Sequence, residues 1–196
     1  MKKLLIAALG ALAVASTANA EVYVQGDLGY AKLKTSGFEH SGNFSGSSFS
    51  PSIAVGYKMG DWRTALDYTY YGKADSSYSD EGVTGKADVK AKGFGVSAIY
   101  DIDLNTVLKP YVGVRVSSNQ VTVKDNYVQK DSAGRDIRSY EKDSSTKFGY
   151  GAMVGANYGL APNLDLNTAL EYNRLGNWDG VKLNQYGLKV GLKYSF

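Results

Sequence analysis

Cysteine is absent from the 196 residues of the chain, and histidine occurs once, at His40. The absence of cysteine excludes a disulfide framework, a thiol nucleophile and a cysteine-ligated metal site. A single histidine leaves little material for an imidazole metal site or a catalytic triad, so the sequence predicts neither an enzyme nor a cofactor. Proline is also scarce, at three residues, whereas glycine and tyrosine are abundant, at 23 and 16. This composition favours a fold of many strands and turns over a helical one.

The first twenty residues carry the pattern of an export signal. Lys2 and Lys3 provide a positive start, residues 4–15 form an apolar run, and residues 18–20 supply the small-x-small sequence that a signal peptidase cleaves. The apolar run is too short for a permanent transmembrane helix, which needs roughly 20 residues. We therefore expect cleavage after Ala20 and a single mature domain at residues 21–196. Loss of the two lysines lowers the formal net charge from +3 to +1, which argues against a nucleic-acid partner.

Period-two alternation of apolar and polar residues recurs eight times after residue 20. In the sixth segment, for example, apolar side chains from Phe148 to Tyr158 alternate with glycine, methionine and asparagine. Such alternation indicates a strand with two unlike faces, and each segment supplies about the 9 to 11 residues that a tilted membrane strand needs. The sequence therefore predicts an all-β fold of eight antiparallel strands. The segments are residues 22–30, 49–59, 62–71, 94–102, 109–116, 148–159, 164–172 and 186–196.

The connections between these segments alternate between short and long. Three are short turns, at residues 60–61, about 103–107 and 161–163. Four are long, polar loops, at about 34–48, 73–88, 118–146 and 174–184. Outer-membrane barrels have short turns at the periplasmic rim and long loops at the other. We therefore expect an up-and-down transmembrane β-barrel with four extracellular loops and with both termini in the periplasm.

The aromatic residues of the apolar face indicate a membrane barrel. Alternation alone does not, because a soluble barrel has the same two faces turned inside out. In an up-and-down trace the aromatics gather at two heights with Val, Leu, Ile and Ala between them, which is the paired girdle of a bilayer-spanning sheet. The girdle residues near the long loops are Tyr30, Tyr68, Tyr150, Tyr172 and Tyr186, and those near the short turns are Tyr57, Trp62, Tyr100, Tyr158 and Tyr194.

The opposite face combines glycine with charges of both signs. An eight-stranded barrel is just wide enough for side chains to fill, and charges away from water need partners that neutralise them. We therefore expect a packed lumen crossed by pairs of Arg or Lys with Asp or Glu. The alternative is an open lumen in a small porin-like, pore-forming protein. The charged residues of this face are Asp27, Lys58, Arg63, Asp67, Arg115, Asp165, Glu171, Lys189 and Lys193.

The end of the last segment resembles an assembly signal. The chain ends in Phe196, with Tyr194, Leu192 and Val190 at alternate positions before it. This pattern is similar to the C-terminal signal read by the barrel-assembly machinery of the outer membrane. The resemblance implies that Phe196 marks the chain for that machinery.

Short motifs occur along the whole chain: VYVQGD at residues 22–27, FSP at 49–51, GY at 56–57, DYT at 67–69, GVSAIYD at 95–101, KPYVGVR at 109–115 and PNLDL at 162–166. Each motif is short, but together they touch nearly every proposed strand. In this order they resemble the opacity (Opa) family of outer-membrane proteins, and within it the neisserial surface protein A type. The resemblance implies an eight-stranded barrel of outer-membrane protein A-like architecture, in a family filed among porins whose members act as surface antigens and adhesins.

Partners are expected at the wall and at the loops. The wall should contact outer-membrane lipid and lipopolysaccharide, and the loops, the third of which mixes five basic with five acidic residues, could bind a host receptor or serum protein. A solvated loop without a partner is the other interpretation. His40, beside Ser41 in the first loop, is the residue that a third function, a lipid-modifying enzyme, would need; a loop histidine without an evident partner is more often inert.

Overall fold

The computed structural model describes residues 20–36, 45–80, 83–130, 136–178 and 181–196. Residues 1–19 of the predicted signal peptide and His40 lie outside these ranges. Within them, no helix is both long and apolar enough to cross a membrane. The strands are β1 (Ala20–Ser36), β2 (Ser45–Phe49), β3 (Ser52–Met59), β4 (Trp62–Asp80), β5 (Val83–Asp101), β6 (Leu108–Lys130), β7 (Asp136–Ala161), β8 (Leu164–Trp178) and β9 (Val181–Ser195).

The strands form one closed antiparallel sheet. Each strand from β3 to β8 pairs with the next along the chain, and β1 pairs with both β3 and β9, which closes the ring. The short strand β2 pairs with residues 30–34 of β1, and β3 pairs with residues 20–27 of the same strand. Together β2 and β3 therefore form one strand position of the barrel. The fold is therefore the predicted eight-stranded up-and-down barrel.

The break between β2 and β3 falls at Ser50 and Pro51. Proline has no backbone N–H and cannot donate to a strand ladder. The neighbouring groups find partners across the break, since the Ser50 amide donates to the Gly29 carbonyl at 2.7 Å and the Tyr70 amide donates to the Pro51 carbonyl at 3.0 Å. The second predicted segment, residues 49–59, is thus divided by the proline without leaving an open gap in the wall.

The two faces of the sheet have opposite character. Large apolar side chains on the outer face are exposed, among them Leu28, Ile53, Val114, Val154 and Leu192. Their neighbours in sequence turn inward and are buried or half-buried, and several of these, such as Asp27, Arg115 and Lys193, are charged. An apolar exterior around a polar interior suits a barrel in lipid, where a closed sheet leaves no backbone group unpaired.

Short turns connect the strands at one rim, close to the predicted positions. Gly60 and Asp61 join β3 to β4, residues 102–107 join β5 to β6, and Pro162 and Asn163 join β7 to β8. Gly60 has a φ of 61°, a left-handed conformation that glycine adopts without a steric penalty. The turn residues therefore match the backbone that the tight connections require.

The strands at the other rim reach much further than the sequence predicts. Pairing continues to Asp80 opposite Val83 and to Lys130 opposite Asp136. In β8 and β9 it continues to position 178 opposite 181. Most residues predicted as loops at 73–88, 118–146 and 174–184 therefore belong to β-hairpins, and of 34–48 only residues 37–44 lie outside the described chain. Beyond the lipid neither face of a ribbon has to be apolar, so the alternation that marks a strand fades while backbone pairing goes on.

Two large side chains inside the barrel depend on glycines beside them. A Cβ added at Gly56 would overlap the ring of Tyr23, and one added at Gly155 would overlap the ring of Tyr111. Both tyrosines are buried. The glycines therefore leave the room that the tyrosine rings occupy in the lumen.

Replacement of Gly56 tests this packing. We expect Gly56→Ala to lower the free energy of unfolding by about 1–3 kcal/mol, because the added methyl group must displace Tyr23. The matched control is Gly26→Ala on the outer wall, where an added Cβ meets no protein atom within 4 Å. Urea unfolding in lipid vesicles measures both, and equal effects of the two substitutions would contradict the proposed packing.

Candidate functional site

The lumen near the short-turn rim is organised around Arg63. Its side chain is 1 % exposed, and Nη2 lies 2.8 Å from Asp101 Oδ1. Its guanidinium carbon lies 5.6 Å from the centre of the Tyr23 ring and 4.8 Å from that of Tyr111. Lys58 Nζ is 3.9 Å from the other Asp101 oxygen. One carboxylate and two aromatic faces thus compensate a cation that has lost its water.

Arg115 and Asp67 form a second pair higher in the lumen. Arg115 donates from Nε to Asp67 Oδ1 at 2.9 Å and from Nη2 to Asp67 Oδ2 at 2.6 Å. Its Nη1 also donates to the hydroxyl of the buried Tyr71. Two parallel bonds fix both the charge and the orientation of the guanidinium plane, so this pair links β4 to β6 inside the lumen, past the intervening strand β5.

Two lysines of β9 find acidic partners on β8. Lys189 Nζ lies 3.1 Å from Glu171 Oε2, and Lys193 Nζ lies 2.8 Å from Asp165 Oδ2. Gln185 Nε2 donates to the other Glu171 oxygen at 2.9 Å. These lysine, carboxylate and amide side chains of β8 and β9 therefore form a column inside the barrel, which we call the ionic column.

Asp27 lies in the lumen but has amides as its partners. Asn167 Nδ2 donates to Asp27 Oδ1 at 2.8 Å, and Gln25 Nε2 donates to Oδ2 at 2.9 Å. Tyr111 in turn donates its hydroxyl to Asn167 Oδ1 at 2.8 Å. Among the described residues no cation forms an ion pair with Asp27, so the predicted arrangement of Arg or Lys with Asp or Glu needs correction at this residue.

An apolar cluster lies in the lumen toward the hairpin rim. Its buried members are Leu33, Tyr71, Ala91, Val121, Leu175 and Leu183. Below this cluster, charged and polar side chains of the lumen line a cavity of about 50 Å³. Side chains therefore cross the described part of the interior at both levels, ionic toward one rim and apolar toward the other.

Several interior residues were missed at the sequence level. Asp101 follows Gly95, Ser97 and Ile99 at alternate positions, so strict alternation would have assigned it to the lumen. The stacking of Arg63 between two tyrosines joins residues from β1, β4 and β6 and has no local signal. The apolar cluster was also missed, because its residues lie at strand ends or in segments predicted as loops.

The ten predicted girdle residues all lie on the outer wall. Several of them stack in pairs across neighbouring strands. Ring centroids are 5.1 Å apart for Trp62 and Tyr100 and 5.2 Å apart for Tyr172 and Tyr186. Such pairs add to the energy of cross-strand contacts on the wall.

The last residue completes the seam of the barrel. The Phe196 amide donates to the Val22 carbonyl at 2.9 Å. The Phe196 ring is 72 % exposed and packs edge-on against Tyr194, with centroids 5.1 Å apart. Phe196 therefore presents its ring outward at the short-turn rim.

A closed antiparallel sheet with an apolar exterior, outward-facing aromatics and charged side chains in its interior defines the class of integral outer-membrane β-barrels. Comparison with known proteins assigns the family. Residues 55–196 match the model of the Opacity family porin proteins. The chain belongs to this opacity family and so to the integral proteins of the outer membrane.

Individual relatives agree with this assignment. The chain is 42 % identical to "Protein opa" of Haemophilus influenzae, over 72 % of this chain and all of that protein. A second, uncharacterized protein of H. influenzae is 39 % identical over the full length of both chains. The crystal structure of neisserial surface protein A is similar with a TM-score of 0.63 and 34 % identity, covering 90 % of this chain and 99 % of that one.

Removal of the Asp101 charge tests the compensation of Arg63. We expect Asp101→Asn to lower the free energy of unfolding by about 3 kcal/mol, because it leaves a buried guanidinium without a carboxylate. Asp103→Asn is the matched control, because Asp103 is exposed and its Oδ1, which accepts the Asn105 amide, is retained in asparagine. Urea unfolding measures both variants. A loss at Asp101 no larger than that at Asp103 would show that Arg63 does not depend on this partner.

Proposed function

We propose that the protein is a surface-display barrel whose hairpins mediate adhesion or contact with a host receptor or serum protein. The observation that carries the proposal is the length of β6 and β7, which have 23 and 26 residues. A tilted membrane strand needs only about 9 to 11. Val121 belongs to the apolar cluster at the hairpin rim, and β6 continues beyond it to Lys130. At about 3.3 Å per residue, this continuation is a ribbon roughly 30 Å long.

The β6–β7 ribbon is rich in charge. Beyond Val121, its described residues include four basic and four acidic ones, at positions 124, 130, 138 and 142 and at positions 125, 136, 141 and 143. A segment that carries charges of both signs can attract and orient a charged partner as it approaches. This supports recognition of a protein or glycan by the ribbon over a purely passive loop.

The orientation we infer has the hairpins outside the cell and the short turns in the periplasm. Both ends of the barrel, at Ala20 and Phe196, lie at the short-turn rim and would then be periplasmic. Export by a signal peptide cleaved after Ala20 is consistent with this orientation. Phe196, with its exposed ring at the end of β9, would serve the barrel-assembly machinery, and the wall would contact outer-membrane lipid and lipopolysaccharide. On this proposal the protein is not an enzyme.

Shortening the ribbon tests the proposed contact. Val121 and Ser145 already stand opposite each other, so residues 122–144 can be replaced by a two-residue Asn-Gly turn. We expect the variant in lipid nanodiscs to bind cultured epithelial cells about tenfold less than the parent, because the main contact residues are gone. The measurement is the binding of fluorescently labelled nanodiscs to the cells.

The matched control shortens the β4–β5 hairpin in the same way. Ala74 and Val89 are register partners and can be joined by the same turn. We expect this variant to bind cells like the parent. Unchanged binding after loss of the β6–β7 ribbon, or equal loss in both variants, would contradict a role centred on that ribbon.

A pore is the second candidate, because the matched family is described as porin proteins. The arrangement of the lumen opposes it, since the ionic column and the apolar cluster cross the interior and the cavity found among the charged side chains measures about 50 Å³. We expect purified barrel in a planar lipid bilayer to give no steady single-channel current. A reproducible unitary conductance would favour the pore.

A further inference from the structure

One part of the outer wall combines cations with an apolar groove. The strands are β7, β8, β9 and β1, and we call this part the basic sector. Its cations all lie near the hairpin rim. They are on the outer face of the strands, which is apolar closer to the membrane centre. Lys32, Lys34 and Lys182 are exposed, and Arg174 is half-buried. The cations of the basic sector are Lys32, Lys34, Arg174 and Lys182.

Strand register brings these cations onto neighbouring rows. Lys34 is opposite Asn184, which is opposite Arg174, which is opposite Tyr150. The next row toward the membrane centre starts at Lys32 and continues through Tyr186, Tyr172 and Ala152. The cations therefore lie at the level of the girdle tyrosines, where lipid headgroups meet the hydrocarbon.

Arg174 is held flat against the wall. Its Nε donates to Asn184 Oδ1 at 3.2 Å, its Nη1 donates to the Tyr150 hydroxyl at 3.3 Å, and its guanidinium carbon lies 5.8 Å from the centre of the Tyr150 ring. Tyr172 donates its hydroxyl to the same Asn184 oxygen at 3.0 Å. Among the described residues, no carboxylate pairs with any of the four cations, so their charge is available to an external anion.

An apolar groove of about 550 Å³ lies directly below the cations, and Lys32 is part of its edge. The small side chain of Ala152 contributes to the hollow. Glu171 borders the groove, but its carboxylate is in the lumen with Lys189. The apolar side chains of the groove are Ala152, Val154, Leu170 and Leu188, flanked by Tyr30, Tyr172 and Tyr186.

We propose that the basic sector is a binding site for lipid A, the phosphorylated and acylated glycolipid of the outer leaflet. A phosphate would bind Lys32, Lys34 and Arg174 at the headgroup level, and one acyl chain would lie in the groove. The inference rests on the proposed orientation, with the hairpins outside, because only that orientation brings the cations to the outer leaflet. Lys182, one row further out, adds positive charge on the side from which the sugar extends.

The adjacency of the two features selects this ligand. A soluble polyanion would use the cations but not the groove, and an uncharged lipid would use the groove but not the cations. A phosphate covalently joined to acyl chains uses both. Arginine suits the anionic end, because its fixed planar group binds phosphate oxygens in pairs.

The test uses the refolded barrel with diphosphoryl lipid A, its dephosphorylated form and phosphatidylglycerol as probes. Native mass spectrometry from detergent micelles measures the fraction of barrel that retains one lipid. We expect retention of diphosphoryl lipid A, with about tenfold weaker retention of the other two probes. Equal retention of the dephosphorylated form, or of phosphatidylglycerol, would overturn the proposal.

Three variants separate a built site from general surface charge. Lys32→Gln with Arg174→Gln should lose lipid A about tenfold. Lys90→Gln with Lys92→Gln removes the same charge from the face of β5 and should have no effect. Ala152→Phe fills the groove without changing charge and should also weaken retention. Equal loss in both charge variants, or full retention by Ala152→Phe, would overturn the site. Host-cell binding is measured in a separate experiment, so a negative result for lipid A would not bear on the proposed adhesion role.

Discussion

The structure depends on the requirement that every backbone N–H and C=O group inside a lipid bilayer has a hydrogen-bond partner within the protein. A sheet meets this requirement only when it closes, which is why β1 pairs with β9 as well as with β3. The one proline in the second strand of the wall shows how strict the requirement is. At the break, the Ser50 amide donates to the Gly29 carbonyl and the Pro51 carbonyl accepts from the Tyr70 amide, so backbone bonds to both flanking strands continue beside the proline.

Closure with eight strands gives the barrel a narrow interior, and this width limits the size of the side chains that can pack inside it. Glycines such as Gly56 and Gly155 make room for the tyrosine rings between which Arg63 lies. Ion pairs in such a place do not add much net stability over an apolar core, because each charge has lost its water. The ion pairs instead determine the strand register. A shift of β4 by one residue would turn Arg63 toward lipid and separate it from Asp101.

The wall was predictable from sequence because lipid outside and a packed lumen inside impose opposite demands on successive residues. Tyr150 and Gly151 follow that rule, and so do the segments that contain them. The rule ends where lipid ends, so the sequence predicts a loop where the paired ribbon runs from Thr122 to Lys130. Inside the lumen, alternation identifies Arg63, Asp67 and Arg115 but not their pairing, because the partners come from different strands and only the closed ring brings them within reach. The contact of Asp27 with Asn167 has no local signal either, because Asn167 lies 140 residues further along the chain.

The seam between β1 and β9 joins the two ends of the barrel over fourteen register positions, from Tyr23 opposite Ser195 to Ser36 opposite Lys182. Residues so distant in sequence meet late, because bringing them together costs the most chain entropy. Until they meet, both strands present free edges that can recruit other extended chains. Until β9 pairs with β1, the strands form an open sheet and not a barrel. The fifteen residues of β9 therefore decide when the barrel can close and separate its interior from the lipid.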